Sequence, residues 1–178
     1  MEHLSDEALM SQVAKGNLEV LGHLFQRYHQ KIYNYCLLMI RDEEISKDIT
    51  QDVFFKILKH RATFKNTRFS PWIYTIARNL CSDHYQSQKK TKKYLTDLTY
   101  LESLGDESES LGSENRLRAA LDLLATDDKE LIIMSKYQKM KYKEIAEITG
   151  STVTAAKTKT HRAMMKLRTH YFKNTQSI

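Results

Sequence analysis

Apolar residues in this chain return at steps of three and four with little interruption, a period that suits helices and no regular sheet. The clearest run is Val20, Leu21, Leu24, Phe25, Tyr28, Ile32, Cys36 and Met39. A second stripe holds Ile45, Ile49, Val53 and Ile57, and a third Trp72, Ile76, Ala77, Leu80 and Cys81. One Pro and five Gly in 178 residues leave little turn chemistry for many strands. The expected fold is all-α, in two small helical domains.

Local signals set the helix ends. Ser5 can cap a first helix whose first turn carries Asp6 and Glu7, and Gly16 stops it. Arg41-Asp42 interrupts the long second stripe, and Asp42 caps the next helix. A polar loop runs from about Arg61 to Phe69, after which Ser70 is the expected cap and Pro71 the first helical residue. Lys89, Lys90, Lys92 and Lys93 close that helix with a basic run. Residues 1–95 thus form a first domain. Residues 96–114 are acidic and Ser-rich and predict a flexible linker, although Leu98, Tyr100, Leu101 and Leu104 are too apolar for a passive spacer. Residues 115–178 form a second domain. Its signals are Leu117, Ala120, Leu121 and Leu124, then a capping-box pattern at Asp127 and Glu130, then a helix from Tyr142 stopped by Gly150, then Thr152 capping a last helix. The linker predicts a mobile pairing of the two domains.

Charge is unevenly placed. The net charge is +6, which by itself suits either ordinary solubility or a polyanionic partner. The linker carries −6 (Asp97, Glu102, Asp106, Glu107, Glu109, Glu114), so the rest of the chain carries 6 + 6 = +12. Beyond Glu147 there are no acidic side chains, only Lys157, Lys159, Arg162, Lys166, Arg168 and Lys173. Cys36 and Cys81 sit in helical, apolar contexts, which fits a reducing compartment better than a disulfide scaffold. No apolar run reaches membrane-spanning length, and MEHLSDEALM lacks the pattern of a signal peptide, so a cytoplasmic location is expected.

Three segments point to function. In KYKEIAEITGSTVTAAKTKTHRAMMKLR, Ala146 and Gly150 stand four apart between two short helices. A helix-turn-helix needs a small residue where its helices meet and a Gly at the turn. The second helix then presents Lys157, Thr158, Lys159, His161 and Arg162 to a DNA major groove. In DEEISKDITQDVFFKIL, Asp48, Gln51, Asp52 and Phe55 place an acidic, polar face beside an aromatic anchor. A solvated amphipathic helix looks the same, but so does a docking face for a basic partner. In FKNTRFSPWIYTIARNLCSDHY, the loop offers Phe64, Lys65, Asn66, Arg68 and Phe69, and the following helix Tyr74, Arg78, Asn79, Asp83 and Tyr85. Aromatic faces, hydrogen-bond donors and positive charge can offset the few kcal/mol that unstacking a base costs. Trp72 is assigned to the core.

Together these segments resemble, in order, the extracytoplasmic-function (ECF) group of sigma-70-type transcription factors, over roughly Leu18 to Arg168. The helix-turn-helix carries that family's Tyr-x-x-Ile-Ala-x-x-x-Gly run as Tyr142, Ile145, Ala146 and Gly150. It departs from the family at Ala156, at Leu124-Ala125 in place of Leu-Pro, and at Lys139, near which relatives have a Gly. The resemblance implies that Lys157, Thr158, Lys159, His161 and Arg162 meet the promoter −35 element. It implies that Phe64, Lys65, Asn66, Arg68, Arg78, Asn79 and Asp83 read and open the −10 element. Asp48, Gln51, Asp52 and Phe55 would dock on the clamp coiled coil of the β′ subunit of core RNA polymerase, and the second domain on the β flap. The linker would lie along channels of the polymerase, and an anti-sigma factor would be a partner. The implied mechanism is binding, with no enzyme activity, cofactor or small-molecule substrate. A stand-alone helix-turn-helix repressor or activator is the alternative. A hydrolase or nuclease would need a carboxylate or His cluster, which cannot be assembled here. A metal site would have only Cys81 and His84 to start from.

Overall fold

The computed structural model describes residues 4–65, 67–96 and 113–173. Every regular element among them is helical. The first domain holds α1 (Asp6–Ala14), α2 (Leu21–Ile40), α3 (Glu43–His60) and α4 (Phe69–Thr96). The second holds α5 (Ser113–Asp122), α6 (Thr126–Ile132), α7 (Tyr142–Thr149) and α8 (Val153–Lys173).

The caps form largely where the sequence puts them. The Ala8 amide donates to Ser5 Oγ (3.2 Å), that of Ile45 to Asp42 Oδ1 (2.9 Å) and that of Ala155 to Thr152 Oγ1 (3.1 Å). Each bond satisfies a donor that the first turn of a helix cannot pair internally. Arg41 ends α2 in the left-handed region at φ 65. Two expectations fail. α4 begins at Phe69, ahead of Pro71, because Arg68 supplies the first helical carbonyl to the Trp72 amide (3.3 Å) and Glu7 on α1 accepts from the Phe69 amide (3.1 Å). The capping box at Asp127 and Glu130 does not form: Ala125 caps α6 with no side-chain bond, and the Glu130 side chain is used elsewhere.

The core of the first domain lies between α2, α3 and α4. Leu24, Ile32, Tyr35, Cys36, Val53, Ile57, Phe69, Ile73 and Ala77 are fully buried in it. α1 is clasped to this bundle by its acidic first turn, through Asp6 to Arg27 Nη1 (2.7 Å) and to the Tyr28 hydroxyl (2.6 Å). In the second domain, Ala120, Leu121, Leu124, Ile132, Ala163 and Leu167 join α5 and α6 to α8.

The linker predicts a mobile pairing, and in the structure the two domains are packed against each other. Leu131, Ile133, Met134, Ile145, Ala146 and Ile148 of the second domain belong to the same apolar cluster as the core of the first. Two apolar surfaces that meet in this way lose the water that would let them drift apart. Most of the linker falls outside the described residues.

Candidate nucleic-acid interface

α7 and α8 form the expected helix-turn-helix. Glu144 folds back to accept the Lys141 amide (3.0 Å) at the start of α7. Gly150 ends the helix in the left-handed region at φ 64, and the Ser151 amide returns to the Ala146 carbonyl (2.9 Å). A side chain with a Cβ is strained at that φ, which is why Gly stands there. On α8, Ala156, Thr160, Ala163 and Leu167 face inward at three- and four-residue steps. Thr160 turns its hydroxyl to the Ala156 carbonyl (2.8 Å), so its burial leaves no polar atom unpaired. Lys157, Thr158, Lys159, His161 and Arg162 are all exposed on the other side.

The exposed side of α3 is equally clear of neighbours. Asp48, Gln51 and Asp52 face solvent around Phe55, which is 65% exposed. Its neighbour Phe54 instead turns inward against Phe25 (ring centroids 4.8 Å apart).

The third group is arranged differently. Phe64 is buried, edge-on to Trp72 at 5.2 Å and to Phe69 at 6.2 Å, so these rings make a small aromatic core under the loop. Lys65, Asn79 and Asp83 are exposed, and Asn66 lies outside the described residues. Tyr74 and Tyr85 are not presented on the surface of α4, contrary to expectation. Tyr74 is buried and donates to Gln138 Oε1 of the second domain (2.7 Å), and the Tyr85 hydroxyl donates to the Met39 carbonyl. α4 packs against α2 and the second domain along the stripe on which both tyrosines lie.

Both arginines of this group are paired across the domain boundary. Arg68 grips Glu147 with two nitrogens, Nη2 to Oε1 at 2.6 Å and Nε to Oε2 at 3.2 Å. Arg78 Nε donates to both oxygens of Glu130, at 2.9 Å each. Glu130 is only 3% exposed and also accepts from the Tyr35 hydroxyl (2.8 Å). Burial holds the Tyr35 pKa well above the usual phenol range, and the Glu130 charge adds to this, so that hydroxyl acts as a donor. Burial disfavours the charge on Arg78, but the hydrogen bond to Glu130 and the negative charge around it together raise its pKa. Lys129 completes the boundary, donating to the Met39 carbonyl (3.1 Å) and to Asp122 (2.9 Å), which also meets Arg41.

Sequence reasoning missed Glu130, Glu147, Asp122 and Lys129. Glu147 had one signal, as the last acid before an entirely basic tail. Glu130 had none beyond its place at the head of the apolar run Leu131 to Met134, where a carboxylate needs a buried partner.

Comparison with known proteins gives these faces a family. The model described as Sigma-70 region 2 matches residues 24–91, and that described as Sigma-70, region 4 matches residues 114–167. The RNA polymerase sigma factor YlaC of Bacillus subtilis is 30% identical over 86% of this chain and 92% of its own. This chain belongs to the sigma-70 family, in its ECF group. The ECF RNA polymerase sigma factor SigX of Bacillus subtilis is also similar, 27% identical over 85% of this chain and 84% of its own. Among solved structures, CnrH in complex with the cytosolic domain of CnrY has the same fold, with a TM-score of 0.74 at 22% identity over 97% of this chain and 99% of its own. RpoE of Bartonella quintana, in complex with the anti-sigma factor NepR, follows at 0.65 and 20%, over 84% and 95%. The chain is therefore an RNA polymerase sigma factor, and the stand-alone repressor reading gives way to it. No helix among the described residues is long and apolar enough to cross a membrane.

Proposed function

We propose that this sigma factor docks on core RNA polymerase through the outward face of α3, with Asp48, Gln51 and Asp52 around the Phe55 anchor, and on the β flap through its second domain. Lys157, Thr158, Lys159, His161 and Arg162 on α8 then meet the −35 element. Phe64, Lys65, Asn66, Arg68, Arg78, Asn79 and Asp83 serve the −10 element. The functional division follows the linker, with residues 1–95 carrying polymerase docking and −10 reading and residues 115–178 carrying −35 reading. The chain works by binding, and the bonds are made by the polymerase in the cytoplasm. An anti-sigma factor is a fitting partner, since the similar RpoE is held by one in its solved structure.

The observation that carries this reading is the joint exposure of two chemically opposite faces, the acidic aromatic one on α3 and the basic one on α8. Partners of opposite charge are steered to such faces, polyanionic DNA to one and a basic protein surface to the other.

The −10 residues need a rearrangement first. Arg68 and Arg78 are occupied by Glu147 and Glu130, and Phe64 is packed inward, so the closed chain cannot offer them to a DNA strand. Polymerase binding has to separate the domains. The test is run-off transcription with core polymerase on promoter fragments from the source genome. Transcripts that depend on the protein and vanish with Asp48→Ala plus Gln51→Ala support the docking reading. Undiminished transcripts with that variant would remove α3 from it.

A further inference from the structure

The second domain carries an apolar groove between α5 and α8. Its volume is about 570 Å³, and it is lined by Leu117 of α5 and by His161, Met164, Met165, Arg168 and Phe172 of α8. Met165 and Phe172 are each 53% exposed. Two large apolar side chains so placed on one concave surface mark an interaction site. The surroundings are basic. The Arg168 guanidinium lies 5.8 Å from the centre of the Phe172 ring, and α8 has no carboxylate along its whole length. Arg116, the residue before Leu117, has its Nε buried with no acceptor among the described residues. A buried donor of that kind marks a missing partner. An occupant that is apolar on one side and acidic beside it fits this groove.

One segment of the chain has that chemistry and leads straight into the groove's own wall. Residues 97–112 join α4 to α5. Leu98, Leu101 and Leu104 recur there at three-residue steps, a spacing that would put all three on one side of a helical turn. Around them stand Asp97, Glu102, Asp106, Glu107 and Glu109, with no Lys or Arg. The start of the segment is also on the right side of the molecule. The Tyr85 hydroxyl of α4 and the Lys129 ammonium of the second domain both donate to the Met39 carbonyl, and Asp122 at the end of α5 meets Arg41. The helix that leads into the segment and the helix that follows it thus flank the same end of α2. Between Leu104 and Ser113 the extended chain reaches about 25 Å, enough to double back along α5, which is about 15 Å long.

We propose that Leu98, Leu101 and Leu104 seat in the groove between α5 and α8 of their own chain, with the neighbouring carboxylates facing Arg116 and Arg168.

This is an amphipathic segment laid in an apolar groove, the apolar contact giving most of the affinity and the charges its orientation. A tether this short holds the segment at an effective concentration on the order of mM, so a modest contact is enough to keep it seated. Any other segment that docks in this groove must displace the linker first.

The experiment links the segment to the groove in the full chain. Leu101→Cys with Met165→Cys is oxidised at micromolar protein in a glutathione buffer, and peptide mass locates the bond; the buried Cys36 and Cys81 stay in place. Leu101→Cys with Lys143→Cys, at an exposed position on α7, measures what an unseated linker reaches by chance. The expected result is a bond within one chain that forms at least tenfold faster at Met165→Cys than at Lys143→Cys. Leu98→Ser plus Leu104→Ser should remove that advantage. Equal rates at the two positions would overturn the proposal. So would a bond found only between two chains at doubled mass, which would give the groove to a second copy. Hydrogen exchange of the chain without added cysteines is the second readout. Amides of residues 98–104 should exchange several-fold faster after Phe172→Asp, a change at an exposed side chain. Unchanged exchange there would equally count against seating.

Discussion

The two DNA-facing regions proposed here meet solvent on different terms. On α8, Lys157, Lys159, His161 and Arg162 are exposed, none of them in an ion pair among the described residues, and Ala156, Thr160 and Ala163 do the packing behind them. On α4 and the loop before it, Arg68 and Arg78 are held by carboxylates from the opposite domain. One region is wholly exposed in the closed chain, whereas in the other both arginines serve as ties between the domains. Closure therefore affects the two promoter elements unequally: a duplex can still approach α8, while a single strand finds the arginines of the first domain occupied.

The sharpest way to break this comparison is Glu130→Ala. It leaves Arg78 and Tyr35 without their shared acceptor, and removing one partner of a buried pair costs several kcal/mol. Arg78 is about a third exposed, so the expected loss is nearer ~2 kcal/mol in urea unfolding, together with a larger radius in scattering. Affinity for a −35 duplex should not change. Next in size is Lys159→Ala with Arg162→Ala, which should weaken binding of the polymerase complex to a −35 duplex about tenfold and lower the salt slope by about 2. Closure should be untouched, as measured by the same scattering.

Smaller again is Glu147→Ala. Its pair with Arg68 is largely exposed on both sides, so stability should fall by less than ~1 kcal/mol. Release of Arg68 should nonetheless raise affinity for a −10 single strand a few-fold, measured by fluorescence anisotropy. A loss of affinity would show that Glu147 aligns the arginine for DNA instead of withholding it. The smallest effect is expected from Lys139→Gly. Lys139 sits in the left-handed region at φ 53, next to the Gln138 that bonds Tyr74. Relief of that backbone strain, offset by the greater freedom of Gly in the unfolded chain, should stabilise by about 0.5 kcal/mol in thermal unfolding. Binding at both elements should stay unchanged.

These variants also mark what the sequence could disclose. The helices, the caps at Ser5, Asp42 and Thr152, and the turn at Gly150 were legible because each rests on neighbours within a few residues in the chain. The exposed faces of α3 and α8 were legible for a related reason, since apolar side chains at three- and four-residue steps mark the face that turns inward. The boundary between domains was not. Glu130 and Arg78 are 52 residues apart and Arg68 and Glu147 are 79 apart, and in each case the local pattern allows another reading. Asp127 and Glu130 have the spacing of a cap, and Arg68 the look of a free loop cation. Tyr74 and Tyr85 failed as surface aromatics because α4 is covered on two sides, and its own period shows only that one side is apolar.

On the proposed reading, in which polymerase binding separates the domains, the tie at Glu130 would set how strongly this chain competes for polymerase. A factor that must open before it binds offers only its open fraction, and its apparent dissociation constant rises by the inverse of that fraction. Closure worth ~2 kcal/mol would leave about one molecule in thirty open, so half-occupation would require some thirtyfold more protein than an always-open variant. The carboxylate buried at the domain boundary would then set the amount of protein at which polymerase is half-occupied. At any lower amount its occupancy falls below that of a rival that needs no opening, and a ligand that favours the open form raises it.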